Sequence, residues 1–98
     1  MTNEEALCCL ANNPYDSEGL QSLYTHNRPV IDAAIQKWFG RSPVVPDATR
    51  YVLERIAART ATFAARPQTT QSIVAELAEE EARDLFEEIE KRIRGWAH

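Results

Sequence analysis

The last thirty residues, Thr69 to His98, constrain the fold more than any other part of the chain. In TTQSIVAELAEEEARDLFEEIEKRIRGWAH, Ile73, Leu77, Ala78, Ala82, Leu85, Phe86, Ile89, Ile93 and Trp96 recur three or four residues apart. That spacing puts side chains on one face of an α-helix, so residues 70–96 are predicted to form one long helix with an apolar stripe. Eight carboxylates (Glu76, Glu79, Glu80, Glu81, Asp84, Glu87, Glu88 and Glu90) share the segment with four bases, Arg83, Lys91, Arg92 and Arg94. This excess is the whole net charge of -4, because residues 1–68 carry seven acids and seven bases. A helix loaded in this way is a poor partner for a polyanion.

The remaining segments also read as helices. Thr2 and Glu5 have the form of a capping box, which opens a short helix over 3–12 that ends at Asn12 and Asn13 before Pro14. Asp16 or Ser17 caps a second helix over 17–39, whose stripe is Leu20, Leu23, Tyr24, Asn27, Ile31, Ala34, Ile35 and Trp38. Pro29 removes a donor and crowds the preceding turn, so a kink is expected near Asn27, and Gly40 ends the helix. Residues Arg41 to Pro46 hold two prolines, which leaves no room for a strand ladder and makes the segment a linker. Asp47 is expected to cap a third helix over 47–66, with Tyr51, Val52, Ile56, Thr60 and Phe63 inward and Arg50, Arg55, Arg59 and Arg66 mostly outward. Pro67 ends it, and Thr69 or Thr70 caps the fourth. Trp38, Phe39, Tyr51 and Phe63 are expected in the core. The fold class is therefore all-α, a short N-terminal helix plus three longer ones in a single domain over 1–98.

Composition and motif content narrow the function classes. No apolar run approaches the roughly 20 residues that span a bilayer, and the N-terminus begins with acids and lacks the plan of a secretory signal, so the cytoplasm is the expected compartment. Cys8 and Cys9 are adjacent, a placement that would strain a disulfide, and they are read as reduced thiols. With only His26 and His98 beside them, no ligand spacing for a metal is present, and no cofactor is expected. There is no glycine-rich phosphate loop, no nucleophile elbow and no paired-carboxylate motif. The chain is not expected to be an enzyme.

The charged and apolar surfaces keep several readings open. The acidic face of Glu79, Glu80, Glu81, Asp84, Glu87 and Glu88 is either solvated, a docking surface for a basic partner, or a metal site at Glu79–Glu81, although three consecutive positions splay around a helix. Pairs at i and i+4, Glu79 with Arg83, Glu87 with Lys91 and Glu88 with Arg92, would neutralise part of it. Arg50, Arg55 and Arg59 either face solvent or meet the acidic helix, within one molecule or across a dimer. Ile89, Ile93 and Trp96 lie where the last helix would outrun a four-helix core and are candidate dimer contacts. His26, beside the kink, is expected to be exposed.

Three stretches together resemble region 2 of bacterial sigma factors, in particular the extracytoplasmic-function class. GLQSLYTHNRPVIDAAIQKWFGR, Gly19 to Arg41, looks like that family's opening helix. DATRYVLERIAAR, Asp47 to Arg59, is similar to the helix that binds the coiled coil of the RNA polymerase clamp, with Asp47, Ala48, Val52 and Glu54 matching. Phe63, Thr69, Ala78, Ala82, Asp84 and Leu85 fall at the spacings of the family's promoter-opening helix. The resemblance implies a sigma-region-2-like packing and RNA polymerase as the partner, through Asp47, Arg50, Glu54 and Arg55. The chain departs from the family in three ways. The clamp-binding Glu-Asp pair is replaced by Thr49 and Arg50, Ile73 stands where the family has an aromatic, and LAEEEARDLFEEIEK carries acids where the family carries bases. A stand-alone, divergent module is therefore expected, one that binds polymerase or a regulator and not promoter DNA. An unrelated helical adaptor or homodimerisation module is the alternative, and a DNA-binding factor whose acidic helix is turned away from the nucleic acid is a third reading.

Overall fold

The computed structural model describes the backbone of residues 1–63 and 70–96 and the side chains of residues 1–59 and 72–95. Within them lie four helices and no strand: α1 (Asn3–Asn12), α2 (Ser17–Phe39), α3 (Val45–Phe63) and α4 (Thr70–Trp96). The expected extension of the third helix to Arg66, its stop at Pro67, the cap at Thr69 or Thr70, the inward Thr60 and Phe63 and the side chain of Trp96 lie outside the described residues. No helix among them is long and apolar enough to cross a membrane.

Local chemistry explains each start and stop. Thr2 and Glu5 form the reciprocal box, Glu5 N donating to Thr2 Oγ1 at 3.1 Å and Thr2 N to Glu5 Oε1 at 3.0 Å, which satisfies two of the orphan donors at a helix start. Asp16 Oδ2 accepts from Gly19 N at 2.7 Å and caps α2. Gly40 closes α2 at φ 59, ψ -124, a conformation that side chains on Cβ disfavour. The third helix begins two residues earlier than the expected Asp47 start. Val44 O takes the first helical bond from Ala48 N at 2.8 Å and Ser42 O accepts from Val45 N at 3.1 Å. Pro46 then lies in the first turn, where its missing N–H is no loss, and Asp47 is an acidic residue of that turn.

The bend in α2 falls at Asn27, with φ -120 and ψ 16. Its side chain is fully buried: Nδ2 donates to Leu23 O at 2.9 Å and to Asn3 Oδ1 at 2.9 Å. One amide thus ties the preceding turn of α2 and the start of α1 to the bend. Across the bend, Tyr24 Oη donates to Asp32 Oδ1 at 2.8 Å and Arg28 Nε reaches Asp32 Oδ2 at 3.4 Å. Burial, followed by the Asp32 hydrogen bond, pushes the Tyr24 hydroxyl above its ordinary pKa. His26 is exposed, its Nε2 2.7 Å from Met1 O.

The core is where the four stripes meet. Leu7 and Leu10 of α1, Leu23, Ile31, Ala34 and Ile35 of α2, Ala48, Val52, Ile56 and Ala57 of α3, and Ile73, Val74, Leu77, Ala78 and Ala82 of α4 form one buried cluster. Val74, absent from the expected stripe, is completely buried. Trp38 and Phe39 pack on its edge, both rings with centroids 5.7 Å from Phe86. Tyr51 does not enter it: 38% of its surface is exposed. The buried side of α3 extends to Leu53 and Ala57, one position beyond Val52 and Ile56, which turns Tyr51 to the rim.

Asn27→Ala removes both amide bonds and with them the side-chain tie between the bend and Asn3 of α1. The expected loss is about 2 kcal/mol of unfolding free energy, read from the urea midpoint of the variant against the parent; equal midpoints would show that the amide is dispensable.

Candidate functional site

Three surfaces carry the residues singled out by the sequence. The first is the seam between α3 and α4. Arg55 and Arg59 stand one turn apart on α3 and converge on Glu81. Arg55 Nε lies 3.3 Å from Oε2 and an Arg59 terminal nitrogen 3.1 Å from Oε1, with Glu80 3.4 Å from the same nitrogen. Glu81 is 4% exposed and so does not belong to the open acidic face on which it was expected. The reason is positional: it follows Leu77 by four residues and Ala78 by three, inside the apolar stripe, where a carboxylate persists only if it is paired. The Glu81 hydrogen bond, then its charge, holds the Arg55 guanidinium above its ordinary pKa. The guanidinium is already ionised at any ordinary pH.

The rest of the acidic helix is partly neutralised as well. Lys37 of α2 lies 2.5 Å from Glu79 Oε1, so Glu79 is engaged by a neighbouring helix. Arg83 lies 3.4 Å from Asp84 and Arg92 2.9 Å from Glu88, and Arg94 pairs with Glu90. Glu87 and Glu76 have no ion pair among the described residues. The consecutive Glu79, Glu80 and Glu81 are thereby committed to Lys37 and the two arginines, and no group of three His, Cys, Asp or Glu side chains among the described residues is arranged to hold a metal. Cys8 and Cys9 are free thiols on α1.

The second surface is a groove of about 1010 Å³ in the angle between the bent α2, the 40–45 turn and the start of α3. Its floor is apolar, with Leu20, Ile35, Val45 and Leu53, and Tyr24, Asp32, Arg41, Arg50 and Glu54 stand on its walls. Arg50 Nε meets Glu54 Oε1 at 3.1 Å across one turn, with the arginine side chain 83% exposed. Asp47 and Tyr51 are exposed on the same helix. Of the four partner-binding residues expected on α3, Arg50 and Glu54 line the groove and Asp47 is exposed, whereas Arg55 is turned to Glu81. The groove itself was not anticipated from the sequence. The signal was there in Pro29, since a bent helix cannot fill the angle that it opens.

The third surface is the end of α4. Beyond Phe86, Ile89 is half-buried and Ile93 is 63% exposed. Comparison with protein-family models, with curated proteins and with solved structures returns no match.

Two outcomes follow from the seam and from the paired carboxylates. Arg55→Ala with Arg59→Ala strands a buried carboxylate and is expected to cost about 3 kcal/mol. Adding Glu81→Met should return most of that loss in the same urea titration, and a triple variant no better than the double would refute the pairing. Hydrogen bonds from Thr2 hold Glu5 below its ordinary value of 4.5, and the Lys37 hydrogen bond does the same for Glu79. A depressed folded-state pKa contributes stability above 4.5 that is lost as pH falls through the lower folded value. The unfolding midpoint should therefore drop between pH 5 and pH 3, and less so in a Glu5→Gln, Glu79→Gln variant.

Proposed function

We propose that the protein is a helical docking module of transcription initiation. In this reading it binds the coiled coil of the RNA polymerase clamp through the α2–α3 groove and the outer side of α3, and it does not bind promoter DNA. The observation that carries this reading is the groove wall: Arg50 and Glu54, which the sigma-region-2 resemblance assigns to a clamp-binding helix, flank an apolar floor. An apolar floor with charged walls is suited to a partner helix that presents an apolar stripe between charged residues. Arg55 contributes little to such a contact, since its guanidinium is held by Glu81.

The DNA half of the proposal rests on charge. Phosphate contacts need cations free to displace counterions, and strand capture adds aromatic platforms in a cationic groove. Here Arg55, Arg59, Arg83, Arg92 and Arg94 already face carboxylates, and Glu76 and Glu87 carry negative charge with no ion pair among the described residues.

Titration with a purified clamp coiled-coil fragment should give binding at or below about 100 µM, roughly 5 kcal/mol, weakened about tenfold by Arg50→Glu or Glu54→Lys with helicity unchanged. No binding at that concentration sinks the proposal. Labelled single-stranded and duplex oligonucleotides should show no anisotropy change at physiological salt, and micromolar binding would overturn the DNA half alone.

A further inference from the structure

The geometry points to a second copy of this chain as the partner of the exposed end of α4, paired antiparallel about a two-fold axis near Lys91. This surface is separate from the α2–α3 groove, and the inference does not depend on the docking proposal.

The end of α4 outruns its own bundle. A helix of 27 residues is about 40 Å long at 1.5 Å per residue, and the molecule measures 46 Å along one axis against 24 and 22 Å along the others. On α4 the packed apolar residues stop at Leu85 and at Phe86, whose ring closes against Trp38 and Phe39 at the end of α2. Ile89 and Ile93 follow Ala82 and Phe86 by seven residues each, two helical turns, so they continue the face that packs on α2 after α2 has ended at Phe39. What would cover them must extend the line of α2.

The charges on either side of this stripe choose the occupant. Glu88 and Arg92 border it on one side, 2.9 Å apart, and Glu90 and Arg94 border it on the other as a second pair. Each border thus runs from acid to base toward the C-terminal end. A parallel mate would place acid against acid and base against base. An antiparallel mate centred near Lys91 sets Ile89 against the other copy's Ile93 on the axis, and the ion pairs then exchange between copies, Glu88 with Arg92 and Glu90 with Arg94, twice each. Glu87 and Lys91 point to the far side of the helix and take no part. The two bundles come to lie at opposite ends of the paired helices, clear of one another. An unrelated partner would have to reproduce this pattern, whereas a second copy already carries it. With two apolar residues per copy at its centre the contact is small, which places it among weak, concentration-dependent associations.

Sedimentation equilibrium from about 10 µM to about 1 mM, the millimolar end being where weak contacts are populated, tests this on the whole chain. The parent should move from monomer to dimer across that range, and Ile93→Arg should remain monomeric with unchanged helicity. Charge supplies a second arm that does not depend on the apolar contact. Arg92→Glu with Arg94→Glu should abolish self-association, as should Glu88→Arg with Glu90→Arg. The two variants mixed should form a heterodimer at least tenfold tighter than either alone. A parent that stays monomeric to the top of the range, an Ile93→Arg variant that still dimerises, or a mixture that associates no better than its components would overturn the inference.

Discussion

Pro29 deprives the carbonyl of Thr25 of its helical donor, and the ring of a proline crowds the turn before it, so α2 has to bend. The bend is held at one angle because the Asn27 amide, buried without exposure, takes up Leu23 O and at the same time reaches Asn3. From this constraint the rest is arranged. It docks α1 on α2, it opens the angle that α3 only partly fills, and it directs the second half of α2 so that Trp38 and Phe39 meet Phe86 on α4.

Electrostatics in this fold divides by depth. Glu81, in the apolar stripe, is retained by two arginines from another helix, a geometry in which removing either side leaves a costly remainder. The carboxylates farther out are held by single exposed partners, interactions that contribute a few tenths of a kcal/mol each and are screened by salt. In a chain of net charge -4 most acids of α4 thus have a basic neighbour, with Glu76 and Glu87 as the members of α4 that remain without an ion pair among the described residues. The arginines that might have addressed a nucleic acid are the same ones that achieve this neutralisation.

The helices, the capping box at Thr2 and Glu5, the bend at Asn27 and the apolar stripe of α4 were legible because each depends on neighbours within four residues. Where the reading went astray, a contact between elements decided. Val44 takes the cap position because the Ser42 turn sets it one residue before Val45, ahead of Asp47. Tyr51 lies at the rim because the buried side of α3 is centred toward Leu53 and Ala57. Glu81 was grouped with the open acidic face, although its spacing from Leu77 and Ala78 placed it in the stripe, and Arg55 and Arg59 one turn apart were the sign of a carboxylate between them.

Sequence alone determined which segments are helical, where α2 must bend and which faces are apolar, since periodicity, proline and capping side chains act through the local backbone. Only the tertiary structure decided which charges are spent inside the molecule and which remain outside. It assigned Arg55 and Arg59 to Glu81 and Lys37 to Glu79, left Arg50 and Glu54 beside an open groove, and carried Ile93 beyond the end of α2. These outcomes depend on the angles at which helices cross, and those angles are set by the packing of side chains far apart in the chain.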